Sequence, residues 1–318
     1  MSSPTGRPAA IAVIDGKRWR SGRRSDYNRA MLIRCSAIAL LILASGLPLG
    51  AQKVGPATGS LVIVGGAMQD PVIVKRFIDL AGGPDAPIVV IPTAGDAETY
   101  STFWSGLRIF RDNAARNVTV LHTRDRKVAD TEAFVAPLTK AQGVFFTGGR
   151  QWRLADAYLK TRAHKELDAL LARGGVIGGS SAGATILGSF LVRGDTKGNE
   201  LMIGDHTEGM AFLKNSAIDQ HVLRRNRQFD LVEVMQKHPD LLGIGIDEDT
   251  AIVVEGDEFE VIGKRYVLIH DRNAEVSPSG GFYFMAPGDT FDLVKREATR
   301  PQSTDRALEH VKKKPTNR

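Results

Sequence analysis

The sequence predicts an α/β protein whose core is a mostly parallel β-sheet with helices on both faces. After Gln52, short runs rich in Val and Ile alternate with amphipathic segments of helical length. These runs are continuously apolar, which is typical of parallel strands buried on both faces. Three of the runs end in glycines, at Gly65, Gly148 and Gly179. Because such sheets bind ligands at the carboxyl ends of their strands, we expect the functional site along that edge.

The first strand and the first helix have clear boundaries. The run SLVIVGGA (60–67) predicts a strand that ends in a glycine turn. The next segment, DPVIVKRFIDLAGG (70–83), predicts a helix with Asp70 as its N-cap, Pro71 at its first position and glycines at its end.

The same alternation continues to residue 181. Further strands are predicted at 87–96, 118–123, 143–149 and 174–181. The helices between them are predicted at 99–115, 130–141 and 152–173. Beyond residue 190 the pattern changes, and later strands are predicted at 244–254, 259–263 and 266–270, the last two as an antiparallel hairpin. No linker or repeat interrupts residues 55–294, so we predict one domain at 52–294.

The N-terminal 51 residues read as an extension followed by a secretory signal. Residues 1–34 carry eight basic and two acidic residues, and residues 35–51 (CSAIALLILASGLPLGA) carry no charge. The apolar stretch is shorter than the ~20 residues of a spanning helix, and small residues precede Gln52. We expect a periplasmic or extracellular protein without a stable membrane span after cleavage; a retained anchor is the alternative. Translation from Met31 is a further hypothesis, which N-terminal sequencing of the precursor tests.

Charge is distributed unevenly along the chain. Residues 52–294 contain 26 basic and 31 acidic residues, a net charge of −5, which argues against a nucleic-acid-binding surface on the folded part. Residues 295–318 contain eight basic and three acidic residues and are predicted to form a disordered basic tail. The single cysteine, Cys35, lies inside the predicted signal, so the mature protein would lack disulfides and a thiol nucleophile.

The stretch GGSSAGATI (178–186) places Gly179, Ser181 and Gly183 in G-x-S-x-G register between an apolar run and a predicted helix. A strand that runs straight into a helix bends sharply, and small residues let the residue at the apex point into the site. The first N–H groups of the helix can then stabilise a developing negative charge. This is the arrangement of a nucleophile elbow. The alternative is a glycine-rich corner needed only for close packing.

A serine hydroxyl needs a base to take its proton. The chain has seven histidines, at 122, 164, 206, 221, 238, 270 and 310. His221, in AIDQHVLRRNRQ, is the strongest candidate because it follows an apolar pair and lies among polar residues. His206, in the loop sequence GDHTEG, is the second candidate.

A carboxylate should orient the imidazole. The run GIGIDED (243–249) places Asp247, Glu248 and Asp249 at the end of an apolar strand, and spacing alone leaves the choice among them open. The chain order serine, histidine, acid argues against the α/β-hydrolases, in which the acid precedes the histidine.

Four motifs, FTGGRQ (146–151), GGSSAGA (178–184), DQHVLRRNR (219–227) and GIGIDEDTA (243–251), resemble in this order the motif series of cyanophycinases. These belong to a serine peptidase family that also includes aspartyl dipeptidase (peptidase E), and the resemblance spans roughly residues 58–270. It implies a flavodoxin-like three-layer sandwich similar to class I glutamine amidotransferases, with serine in place of their cysteine. It also suggests a homodimer and a peptide or small amide substrate.

The resemblance implies a role for each matching position. Ser181 matches the nucleophile, His221 the general base and Glu248 the acidic member, and the N–H groups of Gly149 and Ala182 match the oxyanion hole. The matching substrate-pocket positions are Gln151, Asp219, Gln220, Arg225 and Arg227. No metal or cofactor is implied, because the histidines lack a ligand spacing such as H-E-x-x-H and no thiolate is available.

Two positions depart from the cyanophycinase pattern. Arg150 stands where those proteins usually have aspartate, and Asp230 stands where they have a further arginine. These exchanges change the charge pattern beside the site, so the resemblance predicts aspartyl-directed peptidase chemistry without specifying cyanophycin as the substrate. Two other hypotheses remain: an esterase or amidase acting on a non-peptide acyl group, and a secreted binding protein that has lost turnover.

Overall fold

A nine-stranded mixed sheet forms the centre of the molecule in the computed structural model, which describes residues 53–272 and 281–300. Its parallel half has the spatial order β1-β5-β4-β2-β3. These strands are β1 (Ser60–Val64), β2 (Ile88–Ile91), β3 (Val118–Val120), β4 (Gly143–Phe146) and β5 (Val176–Ser180). The order β3-β2-β4-β5 is that of doubly wound flavodoxin-like sheets, and it brings the carboxyl ends of these strands to one edge.

Antiparallel strands extend the same sheet beyond β1. In order outward they are β9 (Thr250–Glu255), β10 (Glu258–Gly263), β13 (Thr290–Asp292) and β14 (Glu297–Thr299). The sheet therefore continues to Thr299, past the domain boundary predicted at 294. The predicted signal, the segment before it and residues 301–318 lie outside the described residues. In the part of the chain that is described, no helix has the length and apolar character needed to cross a bilayer.

A second, five-stranded sheet was not predicted. Its spatial order is β12-β11-β8-β7-β6. The strands are β6 (Gly188–Phe190), β7 (Leu213–Gln220), β8 (Leu242–Ile246), β11 (Val267–His270) and β12 (Tyr283–Met285). The predicted strand 244–254 is therefore two strands in different sheets. The predicted hairpin of 259–263 with 266–270 is wrong, because β10 pairs with β9 whereas β11 pairs with β8.

Eight α-helices are described. They are α1 (Pro71–Leu80), α2 (Arg108–Arg111), α3 (Arg126–Ala129), α4 (Glu132–Lys140), α5 (Gln151–Tyr158), α6 (Arg162–Ala172), α7 (Ala182–Thr185) and α8 (Asp230–Lys237). As predicted, the Asp70 side chain caps α1 by accepting from the Val72 N–H. The predicted helix 152–173 is interrupted between α5 and α6, where Lys160 has a φ of 60° and Thr161 caps α6.

The predicted helix 99–115 is mostly irregular. Only a 3₁₀ turn (Ser105–Leu107) and the short α2 form there. The aromatic rings explain the difference, because Tyr100 contacts both Trp104 and His122, with ring centroids 5.0 and 4.9 Å apart. These contacts hold the segment as a loop at the carboxyl ends of the parallel strands.

Helices cover both faces of the nine-stranded sheet, so the α/β three-layer sandwich is confirmed. Alternate residues of β1 point to opposite faces: Val62 and Val64 pack in a cluster with α1, whereas Leu61 and Ile63 pack in the cluster with α4–α7 and the second sheet. Helix α8 covers the other face of the second sheet through residues such as Val234. This packing places the carboxyl ends of β1, β4 and β5 beside the end of β7, where the candidate site lies.

Candidate active site

Ser181 occupies a sharp corner between β5 and α7. Its φ of 57° and ψ of −119° are unusual for a residue other than glycine, and strain of this kind is concentrated at functional sites. Its N–H donates to the Val64 carbonyl at 3.1 Å. The flanking glycines are needed for close backbone packing, because a Cβ at Gly179 would lie 2.0 Å from the Gly183 oxygen and one at Gly183 would lie 2.1 Å from the Phe146 oxygen. The turn is therefore closely packed, and it also holds Ser181 in a strained backbone conformation.

His221 follows β7 and lies against the serine. The Ser181 hydroxyl and His221 Nε2 are 2.9 Å apart. The His221 N–H donates to the Gly65 carbonyl at 2.9 Å, which ties the end of β7 to the end of β1. The imidazole packs directly against the backbone of Gly66, where no side chain could fit, because a Cβ there would lie 2.1 Å from His221 Cε1. His206 is held elsewhere, between Asp156 and Asp205, and does not form this contact.

Of the three neighbouring carboxylates, Glu248 is the one that reaches the imidazole. His221 Nδ1 donates to Glu248 Oε1 at 2.7 Å. Asp247 instead accepts the N–H groups of Leu223 and Arg224, which fixes the loop after the histidine. Asp249 accepts the Gln69 N–H at 2.6 Å. The geometry thus distinguishes three residues that spacing could not.

The contacts also fix which nitrogen of His221 carries the proton. An ionised carboxylate only accepts, so Nδ1 is protonated in the neutral ring and Nε2 is free to accept the proton of the Ser181 hydroxyl. Burial is the largest influence on the pKa of His221 and lowers it; the charges of Arg225 and Arg227 act in the same direction, and the hydrogen bond to Glu248 opposes them. The net effect is a pKa below the usual value of 6.5, so the imidazole is neutral at pH 7.

We expect this lowered pKa to appear in the pH dependence of hydrolysis. A protonated imidazole cannot act as a base, so kcat/KM should fall as the pH drops through the pKa of His221, with a midpoint below the usual 6.5. The Arg225→Gln variant removes a charge that lowers this pKa and should move the midpoint upward. A midpoint above 6.5 in the native enzyme would contradict this description of the site.

Gly149 and Ala182, the predicted oxyanion-hole residues, lie in two segments that adjoin the serine. Gly149 follows β4 with a φ of 144°, and a Cβ there would lie 2.0 Å from the Ala94 oxygen, so the position requires glycine. A Cβ at the preceding Gly148 would lie 3.2 Å from the Ser181 Cβ, which places this loop against the serine. Ala182 is the first residue of α7, so its N–H lies outside the helix's own hydrogen bonds. The oxyanion-hole assignment of Gly149 and Ala182 stays a prediction.

The residues predicted to line the substrate pocket differ in their burial and in whether their polar atoms are already hydrogen-bonded. Gln151 is fully buried, and its Nε2 donates to the carbonyls of Val192 and Arg193 at 3.0 and 2.7 Å. Asp219 is also fully buried and is paired with Arg193. Gln220 is 2% exposed, and its Oε1 is buried without a hydrogen-bond partner.

The two arginines of the DQHVLRRNR motif are more accessible. Arg225 is exposed, and Arg227 is half-buried with its Nη1 lacking a partner. Burial is the main factor that lowers the pKa of Arg227, and the nearby charge of Arg193 adds to it. A donor that is partly buried and unpaired can bind an anionic ligand with little competition from water. In residues 53–272 and 281–300, no group of three or more His, Cys, Asp or Glu residues is placed to hold a metal ion.

Comparison with known proteins identifies relatives of this chain. Residues 61–262 match peptidase family S51. The cyanophycinase of Geminocystis herdmanii is 36% identical over 224 residues, which cover 68% of this chain and 81% of that protein. The cyanophycinase of a Nostoc species is 36% identical over 225 residues, which cover 68% of this chain and 74% of that protein. A solved peptidase structure from an acI-B1 actinobacterium shares the fold, with a TM-score of 0.58 and 23% identity over 75% of this chain and 98% of that one.

Proposed function

The chain belongs to peptidase family S51 and is a serine-type peptidase, and from that premise we propose that it hydrolyses an aspartyl peptide or amide bond, including the β-linked form. Ser181 is the nucleophile, His221 the general base and Glu248 the carboxylate that orients it. The observation that carries this proposal is the continuous hydrogen-bond series from the Ser181 hydroxyl through the imidazole to Glu248, with contacts of 2.9 and 2.7 Å.

Acylation follows from the protonation state of the site. His221 Nε2 takes the hydroxyl proton as Ser181 Oγ bonds to the substrate carbonyl carbon. Nε2 then gives this proton to the leaving amine as the C–N bond breaks, and an acyl-serine remains. Water attacks the ester with His221 again as the base, which releases the acid and restores the hydroxyl. Glu248 accepts the Nδ1 hydrogen bond throughout and stabilises the imidazolium.

The carbonyl oxygen becomes an oxyanion in both steps. The N–H groups of Gly149 and Ala182 would hold it, and a donor of this kind is worth on the order of 3 kcal/mol to the transition state. Arg225 and Arg227 would bind a substrate carboxylate through their guanidinium N–H groups. The similarity to proteins named cyanophycinases supports an aspartyl substrate, whereas Arg150 and Asp230 give this pocket a charge pattern of its own.

A substrate panel tests the proposed function. We expect hydrolysis of β-Asp-Leu or α-Asp-Leu dipeptides, with slower turnover of matched dipeptides in which Asn replaces Asp, because the amide lacks the charge that the arginines bind. Cyanophycin and a simple ester complete the panel. Turnover of the ester without any aspartyl peptide would favour a non-peptide esterase instead.

We also propose that the protein is exported to the periplasm or beyond the cell. The support is the sequence of residues 1–51, in which a basic segment precedes an uncharged apolar stretch. Expression of the full chain followed by N-terminal sequencing should find a mature start close to Gln52. The homodimer suggested by the resemblance stays a prediction, which light scattering of the purified protein tests.

A further inference from the structure

Arg193 is a buried arginine whose partners come from three segments of the chain. It is 1% exposed. Its Nε donates to Asp219 Oδ1 at 2.9 Å and its Nη2 to Asp219 Oδ2 at 3.1 Å, so the guanidinium and this carboxylate form a two-pronged pair. Nη1 donates to the backbone oxygen of Asn199 at 3.1 Å, and Nη2 also donates to Asp230 Oδ2. Every nitrogen of the guanidinium therefore has a partner.

This pair adjoins the proposed catalytic groups. Asp219 lies near the end of β7, two residues before His221. Asp230 is the first residue of α8, and the Arg193 carbonyl accepts a hydrogen bond from Gln151. The charge of Arg193 is also close enough to Arg227 to lower the pKa of that side chain, after the larger effect of burial. Arg193 thus lies among the residues that the sequence assigns to the substrate pocket.

Asp219 has no oxygen available for a ligand. Both of its oxygens bind Arg193, and its side chain is 0% exposed. A cationic group of a substrate could bind there only if Arg193 left, and separating a buried ion pair is strongly unfavourable because each charge is then uncompensated. The enzyme's own guanidinium therefore already neutralises the carboxylate that could otherwise bind a cationic group.

Three buried polar atoms of the predicted substrate-pocket residues have no hydrogen-bond partner. Arg227 Nη1, Gln151 Oε1 and Gln220 Oε1 are buried without hydrogen-bond partners. Arg225 is exposed, and Glu200, which raises the pKa of Arg227 slightly against these effects, is exposed as well. The free charges of the DQHVLRRNR segment that lie close enough to His221 to lower its pKa are therefore cationic, and the buried free acceptors are neutral amides.

From this arrangement, and given the proposed function, we infer that Arg193 is a specificity-determining residue. Its guanidinium pairs from within with the buried Asp219 and with Asp230, whose side chain is 35% exposed. The enzyme consequently selects aspartyl substrates whose adjoining residue is neutral or carries a carboxylate, and it discriminates against substrates with a guanidinium or ammonium side chain there.

The first test measures binding and does not need turnover. Purified full-length protein is titrated calorimetrically with ethylguanidinium, and with neutral ethylurea for comparison. We expect no saturable ethylguanidinium binding to the native protein, whereas Arg193→Ala leaves a cavity of the size of ethylguanidinium beside two carboxylates and should bind it at least about tenfold more tightly. The Arg193→Ala/Asp219→Asn double variant should lose the gain, and Arg108→Ala, which changes an exposed arginine, should behave as native.

The second test compares hydrolysis of β-Asp-Leu with hydrolysis of β-Asp-Arg. The native enzyme should favour β-Asp-Leu by about tenfold or more in kcat/KM, and Arg193→Ala should reduce that preference by about tenfold. Added ethylguanidinium should restore the native preference in the variant. If the native protein hydrolyses neither dipeptide, the comparison is made with α-Asp-Leu and α-Asp-Arg. If it hydrolyses no aspartyl peptide at all, the proposed function fails, while the titration still decides the role of Arg193.

Several results would overturn the inference. The inference fails if the native enzyme prefers β-Asp-Arg to β-Asp-Leu. It also fails if the native protein binds ethylguanidinium saturably and the Asp219→Asn variant loses this binding. Folded Arg193→Ala without any gain in ethylguanidinium binding would overturn it as well. If Arg193→Ala does not fold, the first two results, obtained on the native protein and on Asp219→Asn, still decide the matter.

Discussion

Replacing Ser181 with alanine is expected to reduce kcat/KM for an aspartyl peptide by about 10⁴-fold or more, because the variant lacks the atom that attacks the carbonyl. The fold should persist, since the substitution removes one oxygen whose hydrogen bond is to the His221 side chain. The residual rate would come from the oxyanion donors and substrate binding alone. Initial rates at substrate concentrations below KM, together with thermal melting of both proteins, measure the effect.

The sequence itself provides a matched control in the adjacent serine. Ser180→Ala makes the same chemical change one residue earlier, in β5, and should leave kcat/KM within a few-fold of native. Loss of activity in both variants would mean that the turn is sensitive to any change. Unaltered turnover in Ser181→Ala would remove Ser181 from the mechanism.

The second large effect is expected for Glu248→Gln. A carboxylate only accepts, and it holds His221 with Nδ1 protonated. The amide of glutamine can donate to Nδ1, which favours the tautomer whose proton is on Nε2, and that ring cannot accept the Ser181 proton. We expect a loss in kcat of about 10³ to 10⁴ with little change in KM, because substrate contacts are unaffected.

Asp249→Asn serves as the control for this change. It also converts a carboxylate to an amide in the same turn, and its φ of 53° is a conformation that asparagine adopts readily. Its carboxylate accepts backbone N–H groups of residues 69 and 70 rather than the imidazole, so its activity should stay near native. Equal losses in Glu248→Gln and Asp249→Asn would indicate that the turn, and not the Glu248–His221 contact, supports activity.

Local patterns predict the parallel half of the fold well. The three strands that end near Gly65, Gly148 and Gly179 are buried on both faces, and continuous apolar runs are a direct consequence of that burial. The cap at Asp70 likewise depends only on neighbouring residues. Features set by residues close in sequence are therefore visible without a structure.

Local sequence patterns do not predict the second, five-stranded sheet. Strands β8 and β9 are both almost wholly buried and are separated only by the three acidic residues 247–249, so the sequence predicts a single strand that runs across them. The change of sheet takes place at Asp249, whose positive φ and backbone contacts with Gly66 cannot be read from composition. The pairing of β10 with β9 rather than with β11 follows from that crossing.

The site shows the same division. Ser181 and His221 stand in distinctive local surroundings, but the choice of Glu248 over its two neighbours required either the resemblance or the geometry. No pattern in the neighbouring sequence identifies the role of Arg193, because that role depends on its ion pairs with Asp219 and Asp230. These residues are 26 and 37 positions away in the chain. Such long-range ion pairs are formed by the topology and become recognisable only once the fold is known.

The central claim is that His221 activates the hydroxyl of Ser181, and a fluorophosphonate probe tests it most directly, because rapid phosphonylation requires an activated hydroxyl. Mass spectrometry of the native protein should find one adduct, on the peptide that contains Ser181. The adduct should persist in Ser180→Ala and disappear in Ser181→Ala and His221→Ala. A native protein that stays unlabelled under conditions that label known serine hydrolases, or that is labelled at another residue, would contradict this account and favour a binding protein without turnover.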